Sequence, residues 1–213
     1  RIPTGTEPYG VVAAEDGSVL YLATSTEGLV HELDGQSLEI LRSFSIDGEP
    51  RWLALHPSGN ALYVGSAFEG LITTVDLRDG STDTIVPPPV LGMDPVEGVE
   101  VTFSPRITGD LAVSPSGRWL AVPTLNVDNI TKGPDMGSGG ATVSVPGGGY
   151  YVEGSGARFR PTVAAIPIDL SGQLIADEAE HDDLRLVDSL SVSTASYATS
   201  VIFSPDGQLL VVP

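Results

Sequence analysis

The chain has 213 residues, is 41% apolar and 18% charged, and contains no cysteine, which excludes disulfides, thiolate metal sites, cysteine nucleophiles and covalently attached haem c on this segment. Its 28 acidic against 10 basic residues give a net charge of −18, a field that repels phosphate backbones and anionic lipid and argues against nucleic acid as a partner. No apolar run approaches the roughly 20 residues of a membrane helix, so no membrane insertion is expected.

Four stretches of the chain repeat one pattern. They are GVVAAEDGSVLYLAT (Gly10 to Thr24), WLALHPSGNALYVGS (Trp52 to Ser66), DLAVSPSGRWLAVPT (Asp110 to Thr124) and SVIFSPDGQLLVVP (Ser200 to Pro213). Each reads as an apolar strand, a turn on Gly17, Gly59, Gly117 or Gly207, and a second apolar strand. Glycine suits a turn position that needs positive φ, and Pro57, Pro115 and Pro205 end the first strand where a missing N–H costs least. A third strand ends on Asp34, Asp76 or Asp169, and a fourth follows at LEILRSFSI, STDTIV and LRLVDSLSV. The spacing of turn glycines, 59 − 17 = 42 residues, is the size of one four-stranded propeller blade.

The fold class expected is therefore all-β, a β-propeller of about three and a half blades. The blades are placed at 8–48, 49–90 and 106–194, with the start of another at 197–213. Two long segments interrupt the repeat: Ile85 to Pro105 between blades, and 126–161 inside the third blade. Loops of that length are uncommon unless functional or disordered. Residues 173–183 (QLIADEAEHDD) read as a short helix or a solvated loop. Nothing in the sequence resembles a signal peptide, and the start at Arg1 suggests processing or trimming. An incomplete ring leaves blade faces open, so the remaining blades are expected in another segment or chain.

The Ser/His-Pro-Ser/Asp-Gly turns followed by LYLAT, LYVGS and LAVPT resemble the YVTN-type bacterial propellers and the lactonase-type propellers close to them. The resemblance implies a secreted or periplasmic protein, and it carries little about function because this repeat serves many roles. The segment FRPTVAAIPIDL is similar to the strand that ends a mid-blade loop in propellers fused to c-type cytochrome domains. On that likeness, haem c would sit on the remainder of the protein and this part would act as a binding or scaffolding module. A lactonase-type hydrolase and a structural adhesion propeller are the alternatives.

In a propeller the first strand of each blade lines the channel, and its starting end opens on one face with the loop between strands two and three. That face gives channel-mouth candidates Tyr9, Arg51, Glu49 and Asp110. Arg51 with these carboxylates suits a small ion, or forms an ordinary rim ion pair with Glu49 or Glu7. Within the large insert, Tyr150, Tyr151, Phe159 and Arg160 are lid or partner-binding candidates, because aromatics and arginine anchor interfaces. Packing of the loop onto its own blade is the other reading. Asp128, Asn129 and Asp135 offer oxygen ligands to Ca²⁺, at a spacing unlike an EF-hand, or else solvate the loop. The three histidines carry no readable catalytic partner, and His56 is expected exposed in its turn.

Overall fold

The computed structural model describes residues 5–67, 70–93, 100–127, 142–145, 149–152, 159–183 and 198–212. Strands β1 (Pro8–Ala13), β2 (Val19–Thr24), β3 (Leu29–Asp34) and β4 (Ile40–Ser45) form one antiparallel sheet in that order. Strands β5 (Pro50–Leu55), β6 (Ala61–Ser66), β7 (Ile72–Asp76) and β8 (Thr82–Ile85) form a second in the same order. These are propeller blades, and the turn glycines explain why the first hairpin repeats. Gly17, Gly59, Gly117 and Gly207 have φ of 69°, 71°, 71° and 70°. Each donates its N–H to the carbonyl three residues earlier at 2.8 to 2.9 Å, the geometry in which a left-handed residue closes a type I turn.

The third sheet departs from the expected loops. Strands β9 (Val90–Met93) and β10 (Glu100–Ile107) come from the segment between blades, which was expected to be a long insertion. They pair with each other, and β10 continues onto β12 (Trp119–Val127), beside the short β11 (Ala112–Val113). The reason is length. β12 runs nine residues, so its far half, Thr124 to Val127, takes β10 as a ladder partner where β11 has ended. On its other edge β12 pairs along its whole length with β15 (Phe159–Pro167). Within the insert, β13 (Thr142–Val145) and β14 (Gly149–Val152) make a separate hairpin.

The segment 173–183 is neither one helix nor one loop. A three-residue 3-10 turn at Ala176–Glu178 leads into β16 (Glu180–Asp183), the strand beside β15. The expected fourth strand from Leu184 lies outside the described residues. A last pair, β17 (Ile202–Phe203) and β18 (Leu210–Val211), follows.

Side-chain alternation places one apolar layer between each successive pair of sheets. Tyr21, Val30 and Phe44 of the first sheet meet Leu62, Val64 and Val75 of the second. Trp52, Tyr63 and Ile72 on the second sheet's opposite face meet Leu120, Val122 and Ile166 of the third. Ala121 and Val163 then meet Val201, with Phe203 and Leu210 beside them. Innermost strands approach so closely that a Cβ on Gly10 would collide with the Arg51 carbonyl, and one on Gly109 with that of Thr199. The faces that look away from these layers stay apolar. Val11 and Leu41 on the first sheet are 64% and 55% exposed, and Ile202, Leu209 and Val211 on the last pair exceed half exposure.

Candidate functional site

The residues expected at a channel mouth lie where β1 and β5 begin, each on a proline that needs no ladder N–H. Arg51 follows Pro50 and reaches back across the rim. Its Nη2 donates to Glu49 Oε2 at 3.1 Å, its Nε lies 3.5 Å from Ser25 Oγ, and its guanidinium sits 5.1 Å from the centre of the Tyr9 ring. Tyr9 in turn meets Trp52 edge-on at 6.1 Å, so cation, phenol and indole form one stack. Tyr9 remains 56% exposed while Trp52 is buried. Glu7 stands nearby with φ of 54°, a rare region for a residue with a Cβ, and its carboxylate accepts from Thr26 Oγ1 at 2.7 Å. Glu49 pairs with Arg51 in the salt bridge observed there.

Asp110 stands two residues before β11, one sheet further round. Its backbone N–H donates to Thr199 O at 3.0 Å and its side chain is exposed. The structure thus brings Tyr9, Glu49 and Arg51 together, adds Ser25 and Trp52, and sets Asp110 at the next junction. Tyr150 and Tyr151 stand in β14 opposite Ser144 and Val143, and Phe159 and Arg160 open β15 opposite Val127 and Asn126. The Ca²⁺ candidates Asp128, Asn129 and Asp135 lie outside the described residues. Among the described residues no three His, Cys, Asp or Glu side chains gather around a metal position.

Many of the acids have local work. Asp16, Asp34, Asp169 and Asp206 each take hydrogen bonds from a nearby serine and from turn N–H groups, which hold their carboxyls below the usual range. Asp76 is held at about 2 by Arg78 and by turn N–H groups. Glu32 is different: buried, it pairs with Arg42 at 2.7 Å, and Arg42 also donates to Leu77 O of the second sheet at 2.6 Å. Burial, reinforced by Glu32, pushes the neighbouring Tyr21 phenol up to about 12.

The histidines hold sheets in place, and two of them depart from expectation. His56 was expected exposed, yet its Nε2 lies 3.0 Å from Gly117 O of the third sheet and its ring meets Tyr63 edge-on. His181 was expected in an acidic loop. It sits in β16, with Nε2 3.0 Å from Pro88 O and Nδ1 3.2 Å from Thr162 Oγ1. Behind it the buried Thr124, Thr162 and Asn126 share short side-chain hydrogen bonds, a polar line that sequence reasoning missed. Its only trace in the sequence is polar residues at alternate positions of the long strands, Thr124, Asn126 and Thr162. His31 is buried within the first sheet between Ser43 Oγ and Thr24 Oγ1.

No family model matches the chain. Among solved structures, it is similar to a putative 6-phosphogluconolactonase from Bacteroides fragilis, with TM-score 0.53 and 16% identity over 96% of this chain and 47% of that one. It also aligns with hydrazine synthase from Kuenenia stuttgartiensis (TM-score 0.34, 14% identity, 96% of this chain and 72% of that one). A third match is the β-propeller domain of Myceliophteria thermophila Cps50 (Swd1), with TM-score 0.46 and 14% identity over 98% of this chain and 62% of that one. At such identities the likeness concerns the fold, a lactonase-like propeller. The chain spans about half the length of the lactonase-like structure, 47%.

Proposed function

We propose that this chain is the binding and scaffolding part of a larger extracytoplasmic β-propeller whose other blades lie in a further segment or chain. The observation that carries this reading is the pair of open apolar faces. Val11 and Leu41 at one end of the sheet row, and Ile202, Leu209 and Val211 at the other, are exposed in a fold that buries both faces of each blade. The lactonase-like structure, about twice as long at 47% coverage, agrees with further blades on those faces. The channel mouth is then the ligand surface, with the exposed Tyr9 beside Arg51 and Glu49. The protein to which the blades belong would be secreted or periplasmic, with haem c on its remaining domains as the redox form of this reading.

Native mass beside denatured chain mass, with an absorption scan at the Soret band, tests it. A native mass well above one chain, or covalent continuity with further blades, supports the proposal, and a Soret band adds haem to it. A stable, well-folded 213-residue monomer without partner overturns it.

A lactonase-type hydrolase is the second reading, favoured by a cation and a carboxylate side by side at the channel mouth. The three histidines are occupied within the sheets, so Glu49 or a residue of another blade would serve as base. Hydrolysis of a phosphorylated gluconolactone that falls about a hundredfold or more in Arg51→Ala would favour it. Turnover absent in the assembled protein would end it.

A further inference from the structure

Five Asp–Gly pairs stand in the chain: Asp16–Gly17, Asp34–Gly35, Asp47–Gly48, Asp79–Gly80 and Asp206–Gly207. Such pairs are open to spontaneous rearrangement, because glycine has no side chain to shield its nitrogen. Four of the five are held by two hydrogen bonds each. The carboxylates of Asp16, Asp34, Asp79 and Asp206 accept the N–H groups of Ser18, Gln36, Ser81 and Gln208 at 2.8 to 3.1 Å. The N–H groups of Gly17, Gly35, Gly80 and Gly207 donate to Ala14 O, Ser18 O, Asp76 O and Ser204 O at 2.8 to 2.9 Å. Asp47–Gly48 has neither hold. Among the described residues the Asp47 carboxylate accepts no hydrogen bond, the Gly48 N–H donates none, and both residues are exposed.

We infer that Asp47–Gly48 is a modification site, where the main chain re-forms through the Asp47 side chain to give isoaspartate. The Gly48 nitrogen bonds to Asp47 Cγ, and a carboxyl oxygen leaves as water, which closes a cyclic imide. Water then adds to one of the imide carbonyls. Attack at Cγ returns aspartate, and attack at the former main-chain carbonyl leaves isoaspartate. Water is lost and regained, so the step is a net isomerisation that needs no oxidant or cofactor. The other four pairs must first open two hydrogen bonds, which should slow them by about tenfold or more. The place matters because this linker carries the chain from β4 to β5. Asp47 O accepts Ser66 Oγ at 2.9 Å, and Ser66 is fully buried at the end of β6. Glu49 O accepts the Ala67 N–H at 3.2 Å. Isoaspartate adds one atom to the main chain and turns the Asp47 carbonyl into a carboxylate. The change therefore falls on the segment that seats the Glu49–Arg51 pair.

The whole protein, held folded at neutral pH in heavy-oxygen water, returned to ordinary water and digested with trypsin, provides the test. Cleavage after Arg42 and Arg51 isolates Ser43–Arg51, in which Asp47–Gly48 is the sole pair of this kind. This fragment should gain heavy oxygen and a second chromatographic peak of the same sequence about tenfold or more faster than fragments carrying the other four pairs. In the unfolded chain all five pairs should react at similar rates. Equal rates in the folded protein overturn the proposal, and so does a lead of Asp47 that persists unchanged on unfolding. Asp47→Glu should abolish the second peak, because the larger ring closes far more slowly, and a peak that survives this change overturns the assignment.

Discussion

The junction between the first and second sheets and the one between the second and third bury similar apolar layers, yet each is pinned by different chemistry. The first is tied by a charge: Glu32 and Arg42 pair, and Arg42 reaches Leu77 O across the junction. The second is tied without an ion pair, by the Tyr63 hydroxyl on Gly172 O and the His56 ring on Gly117 O. Dispersion and burial therefore supply adhesion at both, while the polar contacts set register and determine what each junction responds to.

The largest expected effect tests the shared part. Leu62 faces the first junction and Leu120 the second, and both are fully buried. Leu62→Ala and Leu120→Ala should each cost about 3 kcal/mol in chemical denaturation, within the range of buried leucine truncations. A loss under about 1 kcal/mol at either position would mean that junction is not a packed core.

Arg42→Ala comes next, at about 2 kcal/mol, because it strands a carboxylate whose side chain is only 12% exposed. The figure sits below that for a fully buried pair since Arg42 itself is 37% exposed and partly screened. Glu32→Gln on the Arg42→Ala background should restore part of the loss. No restoration would mean that packing of the Arg42 stem over Phe44, 4.9 Å from the ring centre, matters more than charge.

Two glycines sharpen the comparison at lower cost. Gly59 and Gly117 have the same φ of 71°, so alanine at either pays the same left-handed backbone term, about 1 kcal/mol. Nothing lies within 4 Å of a Cβ at Gly59, whereas one at Gly117 meets His56 Nε2 at 2.5 Å. Gly117→Ala should therefore exceed Gly59→Ala by roughly 1 kcal/mol, and His56→Ala should remove that excess in a double-mutant cycle. Equal costs would mean the His56 contact contributes nothing to the junction.

Much of the propeller was legible because the hairpin repeat is local: a glycine at positive φ, a proline before it and alternating apolar strands can be read within 15 residues. The contacts that distinguish the junctions are not local. His56 meets Gly117 and Tyr63 meets Gly172, 61 and 109 residues apart, and no spacing announces either. β16 escaped for another reason. Its sequence, Glu-His-Asp-Asp, has no apolar alternation, and it is a strand because β15 offers a free ladder edge. The β9–β10 pair was masked by prolines and glycine that read as a loop. At the channel mouth, Tyr9, Glu49 and Arg51 were picked from equivalent repeat positions, while Ser25 and Trp52 entered only through the side chain of Arg51 and the ring of Tyr9.

Acid gives the smallest changes, and it loosens both junctions. Asp76 caps the turn that carries Leu77, the carbonyl that Arg42 grips, and it is held at about 2 against an ordinary 3.8. A carboxyl lowered in the folded state stabilises fully above its unfolded value, and that stability is lost as pH falls through the folded one. The loss should thus begin below about pH 5 and be complete near pH 2. Asp169 is also lowered and caps the turn that presents Gly172 to Tyr63, so the second junction loosens in the same acid range. Asp76→Asn should reduce the pH dependence of unfolding temperature below about pH 5, with Asp169 and the other lowered carboxyls supplying the remainder. An unchanged slope below about pH 5 in Asp76→Asn would mean that the Asp76 cap does not support the grip of Arg42 on Leu77 O.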